Sequence, residues 1–135
     1  MPDIIKVVGG LIIDKGNILI AQRNKNQTHP LKWEFPGGKV RIDEEVKSAL
    51  EREIKEELSL KIQNPILILD YFFSYPENNK NIHLFFYKID EFNGKILKNI
   101  HKDIRWVRAK ELKLYDFLAG DRKIIDYIIN NDIKF

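Results

Sequence analysis

The stretch of sequence that decides the fold runs from residue 35 to residue 60. It reads Phe35-Pro36-Gly37-Gly38-Lys39, continues through Asp43-Glu44-Glu45, and ends in Arg52-Glu53-Ile54-Lys55-Glu56-Glu57-Leu58-Ser59-Leu60. On a helix that advances about 100° per residue, Glu56 and Glu57 fall on either side of Glu53. The three carboxylates point in the direction in which Ala49 and Leu50 would continue an apolar stripe. The pattern therefore predicts a helix that turns three acidic residues inward.

A run of glutamates on a helix more often faces solvent, and that alternative has to be weighed here. The opposite face of this helix already carries Lys47, Glu51 and Lys55, which form i,i+4 pairs of opposite charge. The inward glutamates repel one another, and Arg52 can neutralise only part of their charge. Clustered carboxylate oxygens suit a hard divalent ion such as Mg²⁺, which is often shared with substrate phosphates.

The spacing of these residues resembles a known family signature. Gly38, five residues, Glu44, seven residues and then Arg52-Glu53-Ile54-x-Glu56-Glu57-x-x-Leu60 is similar to the Nudix box. The family consists of hydrolases that cleave nucleoside diphosphates linked to another moiety. One position departs from the pattern, since the family usually has glycine where this chain has Ser59. That glycine helps the chain leave the helix, so the departure concerns the local turn rather than the metal site.

The resemblance implies a set of site residues around the carboxylates. The metal ligands for Mg²⁺, or alternatively Mn²⁺, would be Gly37 through its carbonyl, Glu53, Glu56 and Glu57. The catalytic residues would be Glu53, Glu56, Glu44 and Arg52. Glu44 has an alternative role, because it could stabilise the start of the helix or pair with Arg52. Gly37 also has one, the turn after Pro36, and this turn is compatible with close approach of the backbone to an ion.

Other segments are similar to the MutT-like branch of the family, which hydrolyses 8-oxo-dGTP to the monophosphate and pyrophosphate. They are Trp33 to Lys39, Arg105-Trp106-Val107 and Asp116 to Asp121. The implied reaction is attack of water at the β-phosphorus, and the implied role is nucleotide pool sanitisation, a form of DNA repair. This branch often carries a glutamate before Trp106, where the chain has Asn99-Ile100-His101-Lys102. The general base therefore stays open between Glu53, Glu56, a metal-bound hydroxide and His101.

Five residues are candidates for substrate binding. Arg23 and Lys39 would contact phosphates, although a basic residue is more often plain surface. Phe35 and Tyr75 could stack on a base, although aromatic residues in a small domain more often belong to the core. Asp121 stands where MutT itself has a base-reading asparagine, and relatives with aspartate there include enzymes acting on cytidine nucleotides. Its alternative role is to cap the last helix.

Three functions follow from these residues. The first is a Mg²⁺-dependent nucleoside triphosphate diphosphatase that prefers 8-oxo-dGTP. The second is a pyrophosphohydrolase of CTP or 5-methyl-dCTP. The third is a Nudix-fold nucleotide-binding module without catalysis, because folds host many functions.

Length and composition bound the class of protein. The 135 residues predict a single domain over residues 1–135, and 44% hydrophobic with 32% charged residues is typical of a globular chain. The absence of cysteine excludes a disulfide framework and a cysteine nucleophile. A net charge of +3 favours small acidic ligands but falls short of a nucleic-acid-binding stripe. We expect a cytoplasmic monomer or homodimer without a membrane segment or a nucleic-acid partner.

The order of elements predicts an α+β protein. Strands are expected at residues 4–13, 18–23, 66–75, 82–89 and 103–108, with Gly9-Gly10 interrupting the first by a bulge or a close approach. The first helix should begin at an N-cap of Asp43, with Glu44 and Glu45 in its first turn, and the last should span residues 121–132. This order and the resemblance both predict the Nudix fold, an α-β-α sandwich with a mixed β-sheet between helices.

Overall fold

The structure is a computed structural model in which residues 4–133 and 135 are described. Residues 1–3 and 134, which the predicted domain includes, lie outside this part of the chain. The strands are β1 (Ile4–Asp14), β2 (Asn17–Gln22), β3 (Trp33–Glu34), β4 (Gly37–Lys39), β5 (Lys61–Gln63), β6 (Ile66–Tyr75), β7 (Lys80–Ile89), β8 (Glu91–Asn93) and β9 (Asp103–Val107). The helices are α1 (Val46–Leu58) and α2 (Arg122–Asn130), with 3₁₀ turns at Pro76–Asn78, Ala109–Leu114 and Ala119–Asp121.

Strand β1 is the centre of a seven-stranded mixed sheet in which the order is β3-β2-β1-β7-β6. It runs parallel to β7 from Ile4 to Ile12. Strand β9 pairs with β2, and β4 pairs with β1 opposite Val7–Gly9. Strands β5 and β8 form a separate two-stranded sheet. The predicted mixed sheet is confirmed, and its middle carries the short strand that contains both motif glycines.

The two helices cover opposite faces of this sheet. Helix α1 buries Leu50, Ile54 and Leu58 against one face, because these residues recur at the helical spacing. Helix α2 buries Ile124 and Ile128 against the other face. Successive side chains of β1 alternate between the two layers, as they do in any strand. The predicted α-β-α sandwich of the α+β class is confirmed.

Gly9 and Gly10 do not interrupt β1, so this part of the prediction is wrong. Both pair with β7 in regular register. At both glycines a side chain packs close to the backbone. A Cβ added at Gly9 would lie 2.7 Å from Cε1 of Phe86, and one added at Gly10 would lie 2.9 Å from Cδ1 of Ile89. The register shift in this part of the sheet lies in β6, between Leu67 and Leu69.

The predicted start of helix α1 is also wrong. Asp43 has φ of 64°, in the left-handed region, and the residue before the helix is Glu45, whose side chain makes no capping hydrogen bond. The reason is a turn that precedes the helix. The Glu44 N–H donates to the Arg41 carbonyl at 3.1 Å, and the Arg41 N–H donates to the Glu44 carboxylate at 3.0 Å. Glu44 and Glu45 therefore precede the helix.

The remaining boundaries differ by one or two residues. Strand β2 ends at Gln22, β7 begins at Lys80 and β9 ends at Val107, whereas helix α2 is shorter at both ends than the predicted 121–132. The short strands β3, β4, β5 and β8 were not expected. No helix within the described residues is long and apolar enough to cross a membrane.

Candidate active site

Strand β4 and helix α1 bring the motif glycines against the inward glutamates. A Cβ added at Gly38 would lie 2.5 Å from Cδ of Glu53 and 2.6 Å from its Oε2. The Gly37 N–H donates to Oε1 of Glu57 at 3.4 Å. Because β4 pairs with β1 beneath the helix, Gly38 leaves the room that the Glu53 carboxylate occupies, whereas Gly37 lies against the backbone of β1. The predicted juxtaposition of Gly37 with the glutamates is therefore present.

Arg52 holds the loop before the helix and the first glutamate of the cluster together. Its Nε and Nη2 donate to the two oxygens of Glu44 at 2.9 and 3.0 Å, and its Nη1 donates to Oε1 of Glu53 at 2.8 Å. Nη2 also donates to the Lys39 carbonyl at 3.1 Å. The hydrogen bond from Arg52 lowers the pKa of Glu44 to about 2, and the reciprocal bond raises the pKa of Arg52. Glu44 thus anchors Arg52 rather than stabilising the start of the helix.

Glu57 is the buried member of the cluster. Its side chain is 5% exposed, and burial raises its pKa far above the usual range, followed by a hydrogen bond to Glu53 and the charge of Glu34. Burial beside other carboxylates therefore favours the protonated form of Glu57. The side chain of Glu56 is 55% exposed and lies 3.6 Å from Nη1 of Arg52, so the prediction that all three glutamates turn inward is wrong for Glu56.

These residues fit a divalent cation, although no group of three or more His, Asp or Glu side chains stands ready-made for one within residues 4–133 and 135. The buried Glu57 carboxyl has a raised pKa, and a cation bound there could take the place of its proton. Gly38 leaves beside Glu53 a space that any side chain would fill. The oxygen donors are of the kind that hard ions such as Mg²⁺ prefer.

A second group of charges lies behind Glu57. Glu34 accepts a hydrogen bond from Nη1 of Arg23 at 2.9 Å through one oxygen and lies 2.9 Å from Nε2 of His101 through the other. The same Nε2 is 3.8 Å from Oε1 of Glu57. The rest of the Arg23 guanidinium donates to Thr28, at 2.7 Å to its carbonyl and 3.0 Å to its hydroxyl. The phosphate contact predicted for Arg23 stays a prediction, since its described bonds go to protein atoms.

Asp121 is buried, with 7% of its surface exposed, and lies near enough to Glu34 to be affected by its charge. Its Oδ2 accepts a hydrogen bond from the Phe35 N–H at 3.2 Å, and its side chain makes no capping bond to helix α2. Burial, followed by the charge of Glu34, raises the pKa of Asp121 to about 8. Its carboxyl is therefore mostly protonated at pH 7, when it offers one donor and one acceptor. The Asp121 side chain therefore does not cap helix α2, and base recognition stays a prediction.

Two tyrosines of β6 hold the turn that carries Asp121. The Tyr71 hydroxyl donates to the Gly120 carbonyl at 2.6 Å and accepts from the Ile124 N–H at 3.3 Å. The Tyr75 hydroxyl accepts from the Gly120 N–H at 3.2 Å. Tyr75 also lines a cavity of about 150 Å³, next to this turn, together with residues that include His29, Phe117 and Ala119. Tyr75 is thus placed beside the turn where a base could bind.

The other predicted substrate residues lie in different environments. Phe35 is 4% exposed and its ring packs 5.2 Å from Phe117 and 6.0 Å from Phe86, which places it in the core rather than on an open surface. Lys39 is exposed on β4, next to the glycines. Its predicted phosphate contact is compatible with that position and stays a prediction.

Helix α1 ends as the family pattern requires, although the residue is serine. Ser59 adopts φ of 61° and ψ of 30°, and its N–H donates to the Lys55 carbonyl. Its hydroxyl accepts a hydrogen bond from the Asn99 side chain at 3.0 Å. The chain therefore leaves the helix through a residue in the left-handed conformation. The serine in place of the family's glycine affects this turn and not the carboxylates, as expected.

Glu34 and Tyr71 were not identified from the sequence. A signal for Glu34 exists, because residues alternate along β3, and Trp33 and Phe35 are both apolar. The residue between them must point to the opposite face, where α1 places its glutamates. For Tyr71 we see no such signal, since its partners lie 49 and 53 positions further along the chain.

Comparison with known proteins gives a consistent result. A family model described as NUDIX domain matches residues 4–128. An 8-oxo-dGTP diphosphatase of Haemophilus influenzae is 33% identical over 133 residues, which cover 98% of this chain and 96% of the relative. A CTP pyrophosphohydrolase of Escherichia coli is 31% identical and covers 90% of this chain and 89% of its own length.

Solved structures agree with these relatives. The solution structure of the E. coli ORF135 protein superposes with a TM-score of 0.85 at 28% identity, over 96% of this chain and 91% of that one. A MutT protein of the Nudix hydrolase family from methicillin-resistant Staphylococcus aureus 252 gives a TM-score of 0.72 at 32% identity, over 97% and 99%. Both similarities extend over nearly the whole chain.

Proposed function

Because the chain belongs to the Nudix family, we propose that it is a divalent-metal-dependent nucleoside triphosphate diphosphatase that releases the monophosphate and pyrophosphate. We propose Mg²⁺ as the metal, with Mn²⁺ as a substitute, and 8-oxo-dGTP as the preferred substrate. In this role a single Nudix domain over residues 1–135 would cleanse the cytoplasmic nucleotide pool, as a monomer or homodimer and without a nucleic-acid partner. The relatives named 8-oxo-dGTP diphosphatase support this choice.

The observation that carries the proposal is the contact of the motif glycines with Glu53 and Glu57. Glu53 and Glu57 lie against Gly38 and Gly37, and Arg52 fixes Glu53 from the other side. When bound, a divalent cation would polarise the phosphoryl oxygens and lower the pKa of attacking water. The carboxylates of Glu53, Glu56 and Glu57 would hold it.

The protein's own groups divide the remaining work. Arg52 keeps the Glu53 carboxylate in one orientation, because its guanidinium is also bound by both oxygens of Glu44. Lys39, exposed beside the glycines, would neutralise charge on the phosphate chain. His101 is an unsuitable general base, since its side chain is 0% exposed. Glu53, Glu56 and metal-bound hydroxide remain the candidates for that role.

Asp121 would read the base. Its protonated carboxyl offers a donor and an acceptor on one group, so it can match a purine edge that presents one of each. Ionised, it is acceptor-only and suits the amino group of cytosine. The relative named CTP pyrophosphohydrolase supports cytidine nucleotides as the second candidate substrate.

The experiment that tests the proposal measures pyrophosphate release from 8-oxo-dGTP, dGTP, CTP and 5-methyl-dCTP, and AMP release from ADP-ribose, with Mg²⁺ and with a chelator. We expect fastest release from 8-oxo-dGTP and none with the chelator. A preference for CTP would move the assignment to the second candidate. No turnover of any nucleotide would favour a binding module.

A matched pair of variants tests the role of the glutamate cluster. Glu53→Gln should lower kcat by about a hundredfold or more, equivalent to about 2.7 kcal/mol. Glu51→Gln is the control, because it makes the same change on the exposed face of the same helix and should retain full activity. Near-normal turnover by Glu53→Gln at saturating Mg²⁺ would refute the ligand assignment.

A further inference from the structure

His101 lies between a carboxylate of the candidate metal site and one outside it. Its Nε2 is 2.9 Å from Oε2 of Glu34 and 3.8 Å from Oε1 of Glu57. The side chains of these two glutamates are 13% and 5% exposed, and that of His101 is 0% exposed. Water therefore contributes little to screening the repulsion between the carboxylates, and the imidazole is a polar group that faces both.

The hydrogen-bond partners indicate which nitrogen carries the proton. Oε1 of Glu34 already accepts from Arg23, and its Oε2 accepts from Nε2 of His101. Nδ1 of His101 is buried and has no hydrogen-bond partner among the described residues. A buried N–H without an acceptor is costly, so the arrangement favours the tautomer with its proton on Nε2. In this tautomer Nε2–H is a donor aimed at the carboxylates.

Backbone hydrogen bonds fix the position of this donor. The segment before His101 is tied to the end of helix α1, where the Asn99 N–H donates to the Glu57 carbonyl at 3.2 Å. The segment after it is tied to β2, where the Lys102 N–H donates to the Gln22 carbonyl at 2.9 Å. The backbone that carries the imidazole is therefore held on both sides of His101.

We propose that His101 is a positioning residue that acts through Glu34 and Glu57 to strengthen binding of the divalent cation. This inference rests on the proposed metal site, of which Glu57 is a ligand. The Nε2–H group donates a hydrogen bond to Glu34 and so compensates part of the negative charge that Glu34 presents to Glu57. Because the charge of Glu34 is compensated in this way, the cation would bind to carboxylates that are already oriented. Hydrogen-bonded groups behind metal ligands typically contribute 10- to 100-fold in metal affinity.

Two substitutions separate this role from simple packing. His101→Gln can place an amide nitrogen near the position of Nε2 and keep the donor to Glu34, whereas His101→Asn reaches only about as far as Nδ1. The measurement is the dissociation constant of Mn²⁺ for the nucleotide-free protein, followed by electron paramagnetic resonance of the free ion, with melting temperatures alongside. We expect His101→Asn to weaken Mn²⁺ binding about tenfold or more and His101→Gln to stay within about threefold of the parent.

Equal Mn²⁺ affinity in the parent and in His101→Asn would overturn the proposal, and so would equal losses in both variants. Should His101→Asn alone fail to fold, the Glu34→Gln background provides the second route. With the charge of Glu34 removed, the double variant Glu34→Gln/His101→Asn and Glu34→Gln alone should bind Mn²⁺ equally, and a persistent difference would count against the role of Glu34. Glu57→Gln distinguishes failure of the metal site itself: parent-like Mn²⁺ affinity in that variant would refute the site rather than only the role of His101.

Discussion

Gly38→Ala is a sharp test of how the carboxylate cluster is built. The new Cβ would lie 2.5 Å from Cδ of Glu53, whereas ordinary contacts begin near 3.4 Å, so the carboxylate must move by about 0.9 Å. Glu53 cannot make this movement freely, because Arg52 holds it at 2.8 Å and is itself bound to Glu44. A displacement near 1 Å of a positioned group can lower the rate by about a hundredfold, or about 2.7 kcal/mol.

The same substitution should leave the fold intact. Gly38 is not among the residues with positive φ, so alanine can adopt its backbone conformation. Replacing glycine by alanine at a compatible position also reduces the entropy of the unfolded chain. We therefore expect kcat for pyrophosphate release to fall about a hundredfold while the melting temperature changes little.

Gly37→Ala supplies the contrast for this experiment. Its added Cβ would overlap the Val8 carbonyl oxygen, which belongs to the backbone of β1 and cannot yield. This variant should lose stability, measured by urea unfolding, before any effect on chemistry is considered. If Gly38→Ala retains at least a third of parent activity with an unchanged melting temperature, the position of Glu53 does not depend on the space left by Gly38.

Two further predictions concern Asp121 and Ser59. Folding raises the pKa of Asp121 from 3.8 to about 8, so the stability that its bound proton contributes is complete below pH 4 and is lost as pH rises through 8. Asp121→Asn should remove this part of the pH-dependent fall in the melting temperature of the metal-free protein. It should also make the ratio of 8-oxo-dGTP turnover to CTP turnover depend less on pH. Parent-like pH profiles of the melting temperature and of this ratio would contradict the assignment. Ser59→Gly should relieve the left-handed backbone but lose the bond from Asn99, so unfolding free energy should change by less than about 1 kcal/mol with unaltered kcat; a large loss of activity would show that this turn shapes the site.

Local patterns in the sequence predicted the parts of the fold that depend on local periodicity. The inward direction of Glu53 and Glu57 follows from helical spacing, and the two layers follow from the apolar residues of α1 and α2. The start of α1 was missed because Asp43 lies in a turn closed by the side chain of Glu44. An N-cap rule considers the residue before the helix and cannot anticipate a carboxylate that is engaged elsewhere.

The contact between Glu34 and His101 could not be predicted, because no short sequence pattern indicates it. His101 lies 67 positions after Glu34, and only the pairing of the sheet brings them together. The resemblance drew attention to the segment before Trp106 because a glutamate is absent there. It gave no indication that the histidine of that segment is buried against Glu34. The exposure of a side chain, which decides whether it can exchange protons with water, follows from tertiary packing.

The parallel pairing of β1 with β7 also determines when the domain can fold during translation. Ile4 pairs with Asn81, and Ile12 pairs with Ile89, so β1 cannot pair with β7 until residues 81–89 have left the ribosome. Strand β4 also pairs with β1. Nascent chains that stop before β7 should therefore expose an apolar edge that chaperones can recognise, and they should have no activity. Since contacts between distant residues form slowly, β4 and the glutamates that lie against it should reach their final arrangement late in folding.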